Sequence, residues 1–122
     1  MRLVFFWLLV LAVVPAWAAW ERVGADENAV FYIDLATLRK DGSFVRTWLI
    51  SELKKPAPKG EVSRRALFEY DCKERRYRIL SISSYSGSMA RGNTISIDNF
   101  PDPWRVVPLG TVSEDILVIV CP

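Results

Sequence analysis

The sequence predicts an α+β domain: a small antiparallel β-sheet of about five to six strands, followed by a C-terminal segment that favours helix. Three observations carry this expectation. Short runs rich in β-branched and aromatic residues recur along the chain, separated by Gly, Pro, Asn and Asp. Two of these runs, from Val62 or Ser63 to Asp71 and from Tyr77 to Tyr85, flank the charged tip CKERRY closely enough to form an antiparallel hairpin. The last stretch, TVSEDILVIV, carries the T-x-x-E spacing of a helix capping box at Thr111 and Glu114.

The chain opens with Met1-Arg2, continues through LVFFWLLVLAVV and reaches Pro15-Ala16-Trp17-Ala18, which has small residues at both positions of a cleavage site. This is the pattern of a secretory signal peptide over Met1 to Ala18. Its apolar run of about a dozen residues falls short of the roughly 20 that span a bilayer. Cleavage after Ala18 leaves a single domain, Ala19 to Pro122, and no cysteine stands near the cut to accept a lipid. The mature chain is therefore expected to be exported, periplasmic or secreted, and without a stable membrane anchor.

Within that domain the first run, Trp20 to Val23, is short and ends in the polar loop GADEN. AVFYID, Ala29 to Asp34, is a second strand whose terminal Asp34 suits the cap of a turn over LATLRKDG. From Ser43 to Leu53, alternation places Val45, Thr47, Leu49, Ser51 and Leu53 on one face and Phe44, Arg46, Trp48 and Ile50 on the other. Both faces carry apolar bulk, as expected of a central strand. KKPAPKG, Lys54 to Gly60, is a solvated loop. In the next run Ala66, Phe68, Tyr70 and Cys72 share one face while Arg65, Leu67, Glu69 and Asp71 share the other. GSMARG forms a further loop, Thr94 to Ile97 a short strand, NFPDP a loop and Trp104 to Val107 a last strand. The β-branched ILVIV near the end fits a buried strand as well as a helix, so the capping box tips the local balance only slightly.

Export permits a disulfide, and Cys72 and Cys121 offer one internal pair; two free thiols or pairing between chains are the alternatives. Charge is unevenly spread. From Lys54 to Arg78 nine basic residues (Lys54, Lys55, Lys59, Arg64, Arg65, Lys73, Arg75, Arg76, Arg78) face four acids, a net +5. The rest of the mature chain, with six basic and ten acidic residues, is −4. Such a surface can steer anionic partners, and a hairpin tip carrying Arg75 and Arg76 can grip sulfate or phosphate through guanidinium forks. The bland alternative is a solvated face that keeps a sheet edge soluble.

Catalytic templates fail on inventory. The chain has no histidine, so no ordinary Ser-His or Cys-His pair exists, and two cysteines alone cannot close a zinc site. Glu69 and Asp71 share a face, but cross-strand pairing with Arg76, Arg78 or Arg65 accounts for them. GSMARG lacks both the nucleophile elbow and the Lys-Ser/Thr ending of a phosphate loop. The expectation is a protein without enzymatic activity, cofactor or metal, and export argues against nucleic acid as partner.

Three segments, FYIDLATLRKDGSFVRTWLI (Phe31 to Ile50), YDCKERRYRIL followed by YSGSMARG, and WRVVPLGTVSEDILVIVC (Trp104 to Cys121), resemble the surface-adhesin protein E-like domain of Gram-negative bacteria. The resemblance implies an antiparallel sheet with a C-terminal helix docked on it, pinned by a disulfide between Cys72 and Cys121. It also implies a binding module for extracellular-matrix or serum proteins, or, by charge, for anionic glycans or envelope proteins. The alternative is a soluble periplasmic protein with a structural or accessory role and no host ligand. Partner identity and oligomeric state are not legible in the sequence.

Overall fold

The computed structural model describes residues 20–122; the predicted signal peptide lies outside the described residues. Eight strands form one antiparallel sheet: β1 (Trp20–Ala25), β2 (Ala29–Asp34), β3 (Arg39–Asp41), β4 (Phe44–Leu53), β5 (Ser63–Asp71), β6 (Arg76–Tyr85), β7 (Thr94–Asp98) and β8 (Arg105–Val106). One helix, α1 (Val112–Val120), follows. The order across the sheet is β1-β2-β4-β5-β6-β7, with β3 also on β4 and β8 also on β6.

The strand count exceeds the expected five to six, and the register shows why. β2 pairs with the second half of β4, Leu49 to Leu53, whereas β3 pairs with its first half, Phe44 to Arg46. Likewise β7 takes the Ile82–Tyr85 end of β6 and β8 the Arg76–Tyr77 end. Two edges are thus each completed in two pieces. Arg39-Lys40-Asp41 is short and wholly exposed and shows none of the alternation that marks a half-buried strand, whereas Arg105-Val106 falls within the Trp104 to Val107 run expected as the last strand. Asp34 nevertheless caps the turn between β2 and β3 as its sequence suggested, accepting the Ala36 N–H at 3.0 Å.

The long strands β4, β5 and β6 pair along nearly their whole length, which fixes which residues meet on each face. Val45, Leu49 and Tyr70 face α1, and with Ile33, Val107, Ile116, Leu117 and Val120 they form the buried core. β4 is central, as predicted. The capping-box segment is a helix. Thr111 Oγ1 accepts the Glu114 N–H at 3.3 Å and donates to the Pro108 carbonyl at 2.7 Å. The box does not close reciprocally, because the Glu114 carboxylate turns to the Gly110 N–H and to Arg75. Hydrophobic burial of Ile116, Leu117 and Val120 decides the ambiguity that β-branching left open. Cys72 and Cys121 form the disulfide, Cα to Cα 5.6 Å, tying the helix end to the β5–β6 hairpin.

The Gly87–Arg91 loop is held down by two buried or half-buried polar groups. Ser63 Oγ donates to the Gly87 carbonyl at 2.6 Å and accepts the Ala90 N–H at 2.9 Å. The Glu52 carboxylate accepts from Ser88 Oγ and from the Met89 N–H. These bonds oppose backbone strain, since Met89 and Ala90 both sit in the left-handed region at φ 55° and 59°. Replacing Ser63 by Ala orphans two backbone groups beside a fully buried site, and urea unfolding should show a loss of about 1–3 kcal/mol. A Ser63→Ala protein as stable as its parent would contradict this role.

Candidate arginine-aromatic face

The sheet face that points away from α1 carries Phe44, Arg46, Trp48 and Ile50 from β4 and Arg65, Leu67, Glu69 and Asp71 from β5. Register then brings oppositely charged residues side by side: Arg46 lies across from Glu69, Glu69 from Arg78 and Asp71 from Arg76. Arg46 Nε donates to Glu69 Oε2 at 2.8 Å. Arg78 donates to Glu69 Oε1 through Nε at 2.9 Å and Nη2 at 2.7 Å, and Arg76 Nε donates to Asp71 Oδ2 at 2.9 Å. Glu69 therefore serves two arginines. Trp104, arriving just before β8, lies under the guanidinium groups of Arg76 and Arg78, 4.7 and 4.5 Å from its ring centre, and against Phe44.

The layering of this cluster matters more than its net charge. The Glu69 and Asp71 side chains are only 6% and 3% exposed, whereas that of Arg46 is 55% exposed. Carboxylates sit beneath and guanidinium groups above, so the solvent meets the cations. Because the carboxylates take the Nε edges of Arg46 and Arg76, terminal nitrogens are left free to donate outward. A cleft of about 410 Å³ opens there, lined by Arg39, Arg46 and Arg78, by Phe44 and Trp104, and by the acids Asp41 and Glu69. It presents guanidinium forks beside aromatic rings, the chemistry suited to sulfate, phosphate or carboxylate groups on an extended partner.

Burial alone would raise the Glu69 and Asp71 carboxyls. The hydrogen bonds from Arg46 and Arg78 to Glu69 and from Arg76 to Asp71, with backbone N–H help at Asp71, outweigh it and hold both below the usual carboxylate range. A folded-state pKa below the unfolded one contributes stability that is present above about pH 4 and lost as pH falls through the folded value. Thermal melts should thus be nearly level from neutral pH to about pH 5 and drop below about pH 4. A Glu69→Gln/Asp71→Asn protein should show a shallower acid limb; an equally steep limb would contradict the assignment.

The nine basic residues singled out from sequence do not form one patch. Lys54, Lys55 and Lys59 are exposed in the loop between β4 and β5, at one end of the sheet. Lys73 and Arg75 lie at the hairpin tip, separated from that loop by the length of β5, about 26 Å for nine residues. Arg64 points to the helix side, 3.9 Å from Glu61. Arg75 and Arg76, expected to act together, diverge: Arg75 adopts a left-handed backbone at φ 51° and reaches Glu114 of α1, while Arg76 turns to Asp71 on the opposite face. Only Arg65, Arg76 and Arg78 of the nine lie on the open face. Arg39, Arg46, Phe44 and Trp104 complete it and were not singled out, although alternation had already placed Arg46 and Phe44 opposite Val45.

Among the described residues no group of three or more His, Cys, Asp or Glu is placed to hold a metal ion, and no helix is long and apolar enough to cross a membrane. The family model described as surface-adhesin protein E matches residues 20–122. Solved structures of Haemophilus influenzae protein E share the fold. A second crystal form superposes with a TM-score of 0.67 at 16% identity over 86% of this chain and 88% of that one. Protein E from a non-typeable strain gives 0.65 at 16% identity over 88% and 78%. No curated protein sequence matches significantly.

Proposed function

The chain belongs to the surface-adhesin protein E family, and from that premise we propose that it is an exported, non-catalytic binding module whose partner docks on the open face of the sheet. The partner is anionic and extracellular, a sulfated glycan or an acidic segment of a matrix, serum or envelope protein. One observation carries this reading: guanidinium groups, exposed at Arg46 and half-buried at Arg76 and Arg78, are pre-oriented by buried carboxylates and by the Trp104 ring. Holding the forks in place before binding reduces the ordering cost that flexible lysines would incur.

Immobilised heparin is a suitable probe. The domain should be retained at low salt and released as salt screens the contact. Arg39→Gln/Arg46→Gln should elute earlier, with affinity about tenfold lower, since each exposed charge contributes up to about 1 kcal/mol. Lys54→Gln/Lys55→Gln/Lys59→Gln, at the far end of the sheet, should elute with the parent. Loss on the lysine substitutions alone, or no retention of the parent, would overturn the proposal. In the second case, protein confined to the osmotic-shock fluid and protected from protease on intact cells would point to the periplasmic accessory role.

A further inference from the structure

At the other end of the same face lies Arg65, which, like Arg39, bonds no carboxylate among the described residues. Arg46, Arg76 and Arg78 each bond one. Its guanidinium lies over the Trp48 ring at 4.1 Å, which fixes its plane, and its Nε is buried without an acceptor. The covered Nε is out of reach of an incoming group, which meets instead the terminal guanidinium nitrogens, and these find no carboxylate among the described residues. The surroundings form a shallow hollow of about 280 Å³ lined by Trp20, Ile50, Arg65, Tyr85, Met89 and Ala90. One wall of the hollow is the strained left-handed pair Met89 and Ala90, pinned by Ser63 and Glu52. Strain held in place by several bonds is a feature of sites that present a surface.

We infer that this hollow is a separate subsite for a carboxylate carried on an apolar or aromatic body, the chemistry of a peptide C-terminus ending in an apolar residue. A single unneutralised guanidinium matches one carboxylate. The Trp20, Ile50, Tyr85 and Met89 walls match an apolar body rather than a second charged group. Arg65 and Glu69 lie four residues apart on β5, about 13 Å, so the subsite is distinct from the cleft around Trp104.

The test uses the mature domain with N-acetyl-phenylalanine and its neutral amide, followed by NMR shifts of the Trp48 and Arg65 signals. The acid should shift these signals saturably and bind about tenfold more tightly than the amide, because only the acid gains a charge-assisted bidentate contact. Arg65→Lys, which keeps the charge and loses the fork, should bind the acid at least about threefold more weakly; Arg64→Gln on the opposite face should leave binding unchanged. Equal binding of acid and amide, or unchanged affinity in Arg65→Lys, would overturn the subsite. Sulfate binding as tight as that of the acid would overturn its apolar half. None of these outcomes depends on heparin retention.

Discussion

Replacing Cys72 and Cys121 together by alanine is expected to cost about 4 kcal/mol, one of the two largest effects of the changes considered. The two cysteines are 49 residues apart in sequence, and the bond closes that loop in the unfolded chain. It also holds in place the end of a helix of only nine residues, too short to be stable by itself. In a domain of about 100 residues with a total stability of about 5–15 kcal/mol, the melting temperature should fall by at least about 15 °C. Urea unfolding of the mature protein by circular dichroism, with and without reductant, checks this. A double alanine protein within about 1 kcal/mol of its parent would show that helix packing alone suffices.

The second large effect is expected at Tyr70. Its side chain is fully buried at one corner of a triangle of rings, stacked on Phe68 at 6.2 Å and tilted against Tyr77 at 6.0 Å, with its hydroxyl 3.4 Å from Ser113 of α1. Burial pushes the phenol pKa well above its usual value. Tyr70→Ala should lose about 3–5 kcal/mol, the range for deleting a buried aromatic ring, and should loosen the contact between hairpin and helix. Tyr70→Phe keeps the ring and forfeits only a long hydrogen bond, so its loss should stay below about 1.5 kcal/mol. Comparable losses in the two would mean that the hydroxyl, not the ring, carries the site.

These two residues were legible in the sequence for a simple reason. Alternation on β5 puts Tyr70 and Cys72 on one face and Glu69 and Asp71 on the other, and a period of two needs no knowledge of neighbours. The sequence offered Arg76, Arg78 or Arg65 as cross-strand partners of Glu69 and Asp71, and the register assigns Arg78 to Glu69 and Arg76 to Asp71. What alternation cannot supply is register between strands distant in sequence. Arg46 joins Glu69 only because β4 pairs with β5 across a nine-residue loop, and Trp104 reaches Arg76 and Arg78 only because β8 pairs with the start of β6. Charge counted along the chain merged Lys54 to Arg78 into one segment, whereas the extended β5 separates its two halves. Adjacent Arg75 and Arg76 were separated for another reason, the left-handed residue that ends the hairpin loop. The α1 helix lay at the limit of local reading, where β-branching and the capping box pull in opposite directions and packing decides.

The central claim, that partners meet the sheet face opposite α1, is tested most directly by mapping a heparin-derived oligosaccharide on the isotopically labelled mature domain by NMR. The arrangement predicts saturable shifts concentrated at Arg39, Arg46, Arg76, Arg78 and the Trp104 indole, and abolished by salt. Shifts confined to the Lys54–Gly60 loop, to the Cys72–Arg75 tip or to the exposed side of α1 would contradict it.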